Sequence, residues 1–160
     1  MSIAAKGFTI AEQGHIVNAL PPLDIDAGAQ TSDAFSMAEY SHCSIILQLG
    51  VTGAASTVTI KESTDNAASG ATAIAFDYYS ETTAAGDTLS ARTTATSSGF
   101  ATSTNDSVMY CIEINAEDLS DGSEWITVHL SDPGAATFGS VVAVLSGSRY
   151  AEVSSPTVLS

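Results

Sequence analysis

The sequence predicts an all-β domain: an antiparallel β-sandwich or a jelly-roll-like barrel with extended terminal arms and one long loop. Two observations carry this expectation. Apolar and polar residues alternate with a period of two over several short runs, most clearly at Val108, Tyr110, Ile112 and Ile114, and the same period returns over 125–130 and 141–145. Between the runs lie Gly-, Asn- and Pro-bearing turns, the punctuation of a chain made of many short strands. At 160 residues and 44% hydrophobic content, the chain reads as a single β domain spanning 1–160, able to bury a core without a metal or disulfides.

Taken in order, residues 1–26 are expected to form an N-terminal arm or edge strands. Phe8 and Ile10 flank Thr9 in a short alternating pattern. The run 15–20 then meets Pro21-Pro22, whose missing amide donors require a strand to end or to lie at a sheet edge. Residues 23–26 can resume the sheet, and 27–33, AGAQTSD, has the composition of a loop. The sandwich core is expected over 33–150. Within it, 43–49, CSIILQL, is nearly all apolar and predicts a strand covered on both faces.

Val58 and Ile60 alternate with Thr57, Thr59 and Lys61, and TAIAFDYY follows after a turn, which predicts a hairpin over 56–79. Its second strand puts Ile74, Phe76 and Tyr78 on one face and Asp77 and Tyr79 on the other. The excursion 81–106 is rich in Thr, Ser, Ala and Gly, with Leu89 and Phe100 as its large apolar anchors. It predicts either a long loop containing a strand near 90–94 or a surface ordered against neighbouring subunits. Residues 108–150 read as three strands. Between them, Asn115 is placed to cap a helical turn over 116–119, and Asp121-Gly122 to reverse the chain. Residues 151–160 read as a C-terminal tail.

Charge narrows the partners. Eighteen acids against four bases give a net charge of -14, which repels phosphate backbones and anionic membranes, so neither nucleic acid nor membrane is expected. The N-terminus carries one lysine and no continuous apolar stretch of the signal-peptide kind, and no run of ~18 apolar residues occurs anywhere. Synthesis in a cytoplasm is therefore expected. Cys43 and Cys111 each lie in an apolar run, as small buried hydrophobes do.

The sequence carries none of the common catalytic and cofactor signatures. The chain has no phosphate-cradling glycine loop with lysine, no dinucleotide fingerprint and no Cys-x-x-Cys, so it is read as a non-enzyme with no cofactor and no metal. A nucleophile pair of Cys111 with His129 requires a long-range contact, and a buried thiol and a strand histidine are the plainer reading. Asp118, Asp121 and Glu124 offer hard oxygen ligands, but their spacing is not that of a calcium loop; Asp24 and Asp26 form a weaker cluster. Both read first as solvated turns. Arg149, one of only four bases, precedes Tyr150 near the chain end and pairs with an acid either within the chain or across an interface. Arg149, Tyr150, Asp118 and Asp121 are the candidate interface residues.

The segments YCIEINAEDLSDGSEWITVHLSD, VVAVLSGSRYAE and SSPTVLS, with SDAFSMAEYSHCSIILQLG earlier, resemble small virion proteins of tailed bacteriophages, and together cover about half the chain. The resemblance implies a capsid decoration or cement protein located on the virion surface. Its implied partner is the major capsid protein, and it implies a homo-oligomer, often a trimer, and no active site. Arms at 1–26, 81–106 and 151–160 would suit such a role by adding strands to neighbours. A tail or head–tail connector component is the alternative within virion proteins. From another class, a carbohydrate-binding β-sandwich would use Trp125, Tyr78 and Tyr79 as stacking platforms.

Overall fold

The alternation read from 108–114 is realised directly: Val108, Tyr110, Ile112 and Ile114 are buried, while Met109, Cys111 and Glu113 face the other way and are half-buried. The structure, a computed structural model, describes residues 7–83 and 86–149. Twelve strands are found among them. They are β1 Gly14–Asp24, β2 Gln30–Thr31, β3 Phe35–Ser36, β4 Tyr40–Thr52, β5 Thr57–Ser63, β6 Thr72–Ile74, β7 Phe76–Glu81, β8 Thr93–Ala95, β9 Phe100–Ala101, β10 Val108–Asn115, β11 Trp125–Leu130 and β12 Thr137–Ser148.

The strands form two antiparallel sheets. The front sheet runs β1-β12-β4-β10-β7-β8; the back sheet runs β2-β11-β5-β6, with β3 also on β11 and β9 also on β5. Without β7 to β9, the strand order is that of a jelly roll, β1-β12-β4-β10 facing β2/β3-β11-β5-β6, with β5 and β6 forming a hairpin inside the back sheet. The sheets are not closed on each other, so the fold is a sandwich and not a barrel. Between them Ile45, Leu47, Val58, Ile60, Ile112, Ile126, Val128, Val141 and Leu145 are fully excluded from water. Each such side chain contributes roughly 1.5–3 kcal/mol relative to an exposed one.

Several local expectations are corrected. Residues 43–49 are not covered on both faces: Cys43, Ile45, Leu47 and Leu49 point into the core, whereas Ser44 and Ile46 are half-buried and Gln48 exposed on the outside. The long apolar run reflects Ile46 on an outer face that is itself partly apolar. The hairpin expected over 56–79 is split. β6 pairs with β5, but the chain crosses at the exposed Ala75, and β7 joins β10 in the other sheet. Ile10–Gln13 forms a helical turn in place of an extended pattern, leaving Phe8 and Ile10 exposed. The loop expected over 27–33 contains β2.

Pro21-Pro22 falls in β1, an edge strand whose register against β12 slips between Asn18 and Leu20 and again between Leu20 and Leu23. The missing donors are tolerated there because one side of the strand has no partner to supply. After β1, a 3-10 turn, Ile25–Ala27, buries Ile25 completely.

The excursion 81–106 is anchored to both sheets. β8 pairs with β7 in the front sheet, a tight turn at 96–99 follows, and β9 pairs with β5 in the back sheet. Gly99 makes the turn possible: its φ is +77°, and a Cβ there would lie 1.9 Å from the Val58 carbonyl oxygen. Phe100 then enters the core beside Tyr78 and Tyr110, and the Tyr110 hydroxyl accepts the Ser103 amide at 2.6 Å. Tyr150 and the tail expected over 151–160 lie outside the described residues.

Candidate functional site

The outer face of the front sheet divides into two chemically different halves. Strand register aligns Ile16, Val144, Ser44, Glu113, Asp77 and Thr94 in one row across all six strands. The next row holds Asn18, Val142, Ile46, Cys111 and Tyr79. Directly opposed residues on antiparallel strands share a face, so both rows look outward. Over residues 16–18 of β1, 140–144 of β12 and 44–48 of β4 these outward positions carry no acid, lysine or arginine: they are Ile16, Asn18, Ser140, Val142, the largely covered Val144, Ser44, Ile46 and Gln48. In a chain of net charge -14, a neutral band of this kind is a distinct surface.

The other half is polar and ordered around Glu113. Its Oε2 accepts the Ser44 hydroxyl at 2.6 Å and lies 2.8 Å from His42 Nε2, and its Oε1 accepts the Cys111 thiol at 3.2 Å. His42 Nδ1 is 2.9 Å from Asn115 Oδ1. Asp118 Oδ2 accepts from the Asn115 backbone amide at 3.0 Å and from its side-chain nitrogen at 3.1 Å, which fixes the 3-10 turn Ala116–Asp118 expected after Asn115. One strand further, Arg92 Nη1 lies 3.4 Å from Asp77 Oδ2, and Thr94 donates a short hydrogen bond to Asp77 Oδ1.

Serine, histidine and a carboxylate meet here without forming an activated nucleophile. Ser44 Oγ is 3.4 Å from His42 Nε2 but gives its proton to Glu113, which stands against the same imidazole nitrogen. The carboxylate therefore competes with the hydroxyl for the ring instead of orienting the ring toward it. The cysteine thiols are held in their protonated form. Burial, reinforced by the hydrogen bond to Glu113, pushes Cys111 up to about 12, and burial raises Cys43 further still.

His42, Glu113, Asp77 and Thr94 line a cleft of about 690 Å³ on the outer face, bounded by Ile74 and Ala75 where the chain changes sheets, by Tyr79 and Arg92, and by Asn115 and Asp118. A smaller hollow of about 300 Å³ brings Arg149 together with Asp121 and Glu124. Of the candidate interface residues, Arg149 and Asp121 thus share a hollow, while Asp118 lines the neighbouring cleft. Neither of the two ion pairs found among the described residues includes Arg149, whose backbone amide donates to Glu39 O at 2.9 Å.

Other sequence expectations come apart. Cys111 lies on the outer face of the front sheet, and His129 lies on the outer face of the back sheet, where its Nδ1 is 2.9 Å from Thr31 Oγ1; the core separates them. Burial, with Lys61 nearby, lowers the His129 pKa. Of the three aromatics expected as stacking platforms, Tyr78 is packed inward against Phe100, Trp125 is half-buried on the back sheet, and Tyr79 lies on the outer face of the front sheet. Among the described residues no three His, Cys, Asp or Glu side chains are grouped to hold a metal ion. The Glu113 cluster carried little sequence signal: His42, Ser44, Cys111 and Glu113 sit in two strands far apart in the chain, and only the β4–β10 register brings them together.

Fold and site together define an open antiparallel β-sandwich of jelly-roll strand order, with a neutral band and a polar cleft on one outer face. Comparison with protein-family models, with curated proteins and with solved structures found no match.

Proposed function

We propose that this chain is a structural virion protein of a tailed bacteriophage, a decoration or cement protein that lies on the outside of the capsid as a homo-oligomer and stabilises the shell. The observation that carries the reading is the neutral, partly apolar band over β1, β12 and β4. The protein has a net charge of -14, and this band offers a rigid protein-binding surface free of formal charge. The resemblance of the sequence to small phage virion proteins supplies the partner, the major capsid protein. Many weak contacts repeated over a lattice add up to firm attachment without any one contact being strong.

Addition of the purified protein to undecorated heads tests this. Stoichiometric binding and a raised temperature of head disruption are expected, and both are lost in Ile46→Glu/Val142→Glu, which charges the centre of the band without touching the core. Wild-type protein that neither binds heads nor changes their heat stability would sink the proposal. Binding limited to one vertex or to tails would replace it with a connector or tail role.

A further inference from the structure

The cleft lined by Tyr79, Glu113 and Asp77 has the chemistry of a ligand site, and we propose that it binds a neutral saccharide. This goes beyond attachment to a shell and uses a different half of the front sheet. The cleft is concave, and its polar groups are fixed before any ligand arrives. Glu113 is held by His42, Ser44 and Cys111, Asp77 by Arg92 and Thr94, and Asn115 by Asp118. Side chains ordered in this way lose little further freedom on binding.

The arrangement selects the ligand class. Asp77, Glu113 and Asp118 outnumber Arg92, so phosphates and carboxylates are disfavoured. No three carboxylate, His or Cys groups among the described residues are grouped to hold a metal ion. The lining alternates acceptors, the carboxylates and Thr94, with donors, the guanidinium of Arg92 and the amide of Asn115. A sugar hydroxyl donates and accepts at once, and vicinal hydroxyls match paired acceptors and donors of this kind. Tyr79, half-buried on the same face opposite Cys111, adds an aromatic surface for the apolar side of a pyranose ring, beside Ile74.

The test is an array of neutral oligosaccharides of glucose, galactose, mannose and N-acetylglucosamine, followed by calorimetric titration of the best ligand into the full-length protein. Binding with a Kd on the order of 1 mM or tighter is expected. Tyr79→Ala and the exposed Arg92→Ala should each weaken it about tenfold. Trp125→Phe, on the back sheet, should leave it unchanged. Should Tyr79→Ala fold poorly, Arg92→Ala and the isosteric Asp77→Asn carry the same comparison. Absence of any neutral sugar on the array, binding indifferent to Arg92→Ala and Asp77→Asn, or preference for inorganic phosphate or spermidine would each overturn the proposal.

Discussion

Tyr78 and Phe100 stack face to face, with ring centroids 4.0 Å apart and planes only 8° from parallel, although one lies in the front sheet and the other in the back. The stack ties the excursion 81–106 to the core, with Phe76 and Tyr110 completing the cluster around Phe100. Phe100→Ala should therefore cost about 3 kcal/mol and lower the Tm by roughly 10 °C. Urea unfolding measures the first and calorimetry the second. Amide exchange at Ser103, whose N–H is bonded to the Tyr110 hydroxyl, should accelerate in the variant. A change under ~1 kcal/mol would show that the cluster contributes little.

Two glycines with left-handed backbone should respond differently to the same substitution. At Gly122, φ is +83° and a Cβ would meet nothing within 4 Å, so Gly122→Ala should cost only the backbone strain, about 1 kcal/mol. At Gly99 the same strain is joined by a collision with the backbone of Val58. Gly99→Ala should be the more destabilising by at least ~2 kcal/mol, because β5 must move to admit the methyl group. Paired urea melts decide this, and equal losses would contradict the close approach at Gly99.

The thiols should be inert in the folded protein. With Cys111 pushed up to about 12, its thiolate at pH 8 amounts to about one part in ten thousand, and Cys43 is buried. A thiol-disulfide reagent should therefore react slowly under native conditions and release two equivalents rapidly in guanidinium, matching the two cysteines present. Glu113→Gln removes the charge that disfavours the Cys111 thiolate and should speed the native reaction. A rapid native equivalent in the wild type would contradict the placement of Cys111 against Glu113.

His129 gives a pH dependence of defined sign. Its pKa is lowered in the folded state by burial first and Lys61 second, so between the folded and unfolded values the unfolded chain binds more protons. Stability from this group consequently rises with pH through that window and is lost as pH falls below the unfolded value near 6.5. His129→Gln retains a polar side chain beside Thr31 and Thr127 and should flatten the slope of stability against pH in the window just below the unfolded value. An unchanged slope would assign the pH dependence to other groups.

The period of two makes β10, β11 and β12 legible in the sequence, since buried and outward residues there follow the alternation almost position by position. The prolines at 21–22 correctly marked β1 as an edge. What could not be read was pairing. Ala75 looks like one more residue in an alternating strand, yet the chain changes sheets there, and nothing local distinguishes a continued strand from a crossing. The Glu113 cluster was hidden for the same reason: Ser44 and Glu113 are ordinary outward residues until strand register makes them neighbours. The run 43–49 misled because an outer face that is itself partly apolar looks, in sequence, like a second core.

The place of β12 between β1 and β4 governs how the molecule can be made. Gly14 finds its partner at Ser146, so β1 has no template in the nascent chain until almost all of the described polypeptide has left the ribosome. The β4–β10 and β5–β11 pairings can form earlier, but the front sheet is completed only by inserting a late strand between two early ones. Such distant pairings fold slowly and leave the edge of β4 open meanwhile, where another chain can pair in its place. The yield of correctly folded molecules should therefore depend more on concentration during synthesis than on the stability of the finished sandwich.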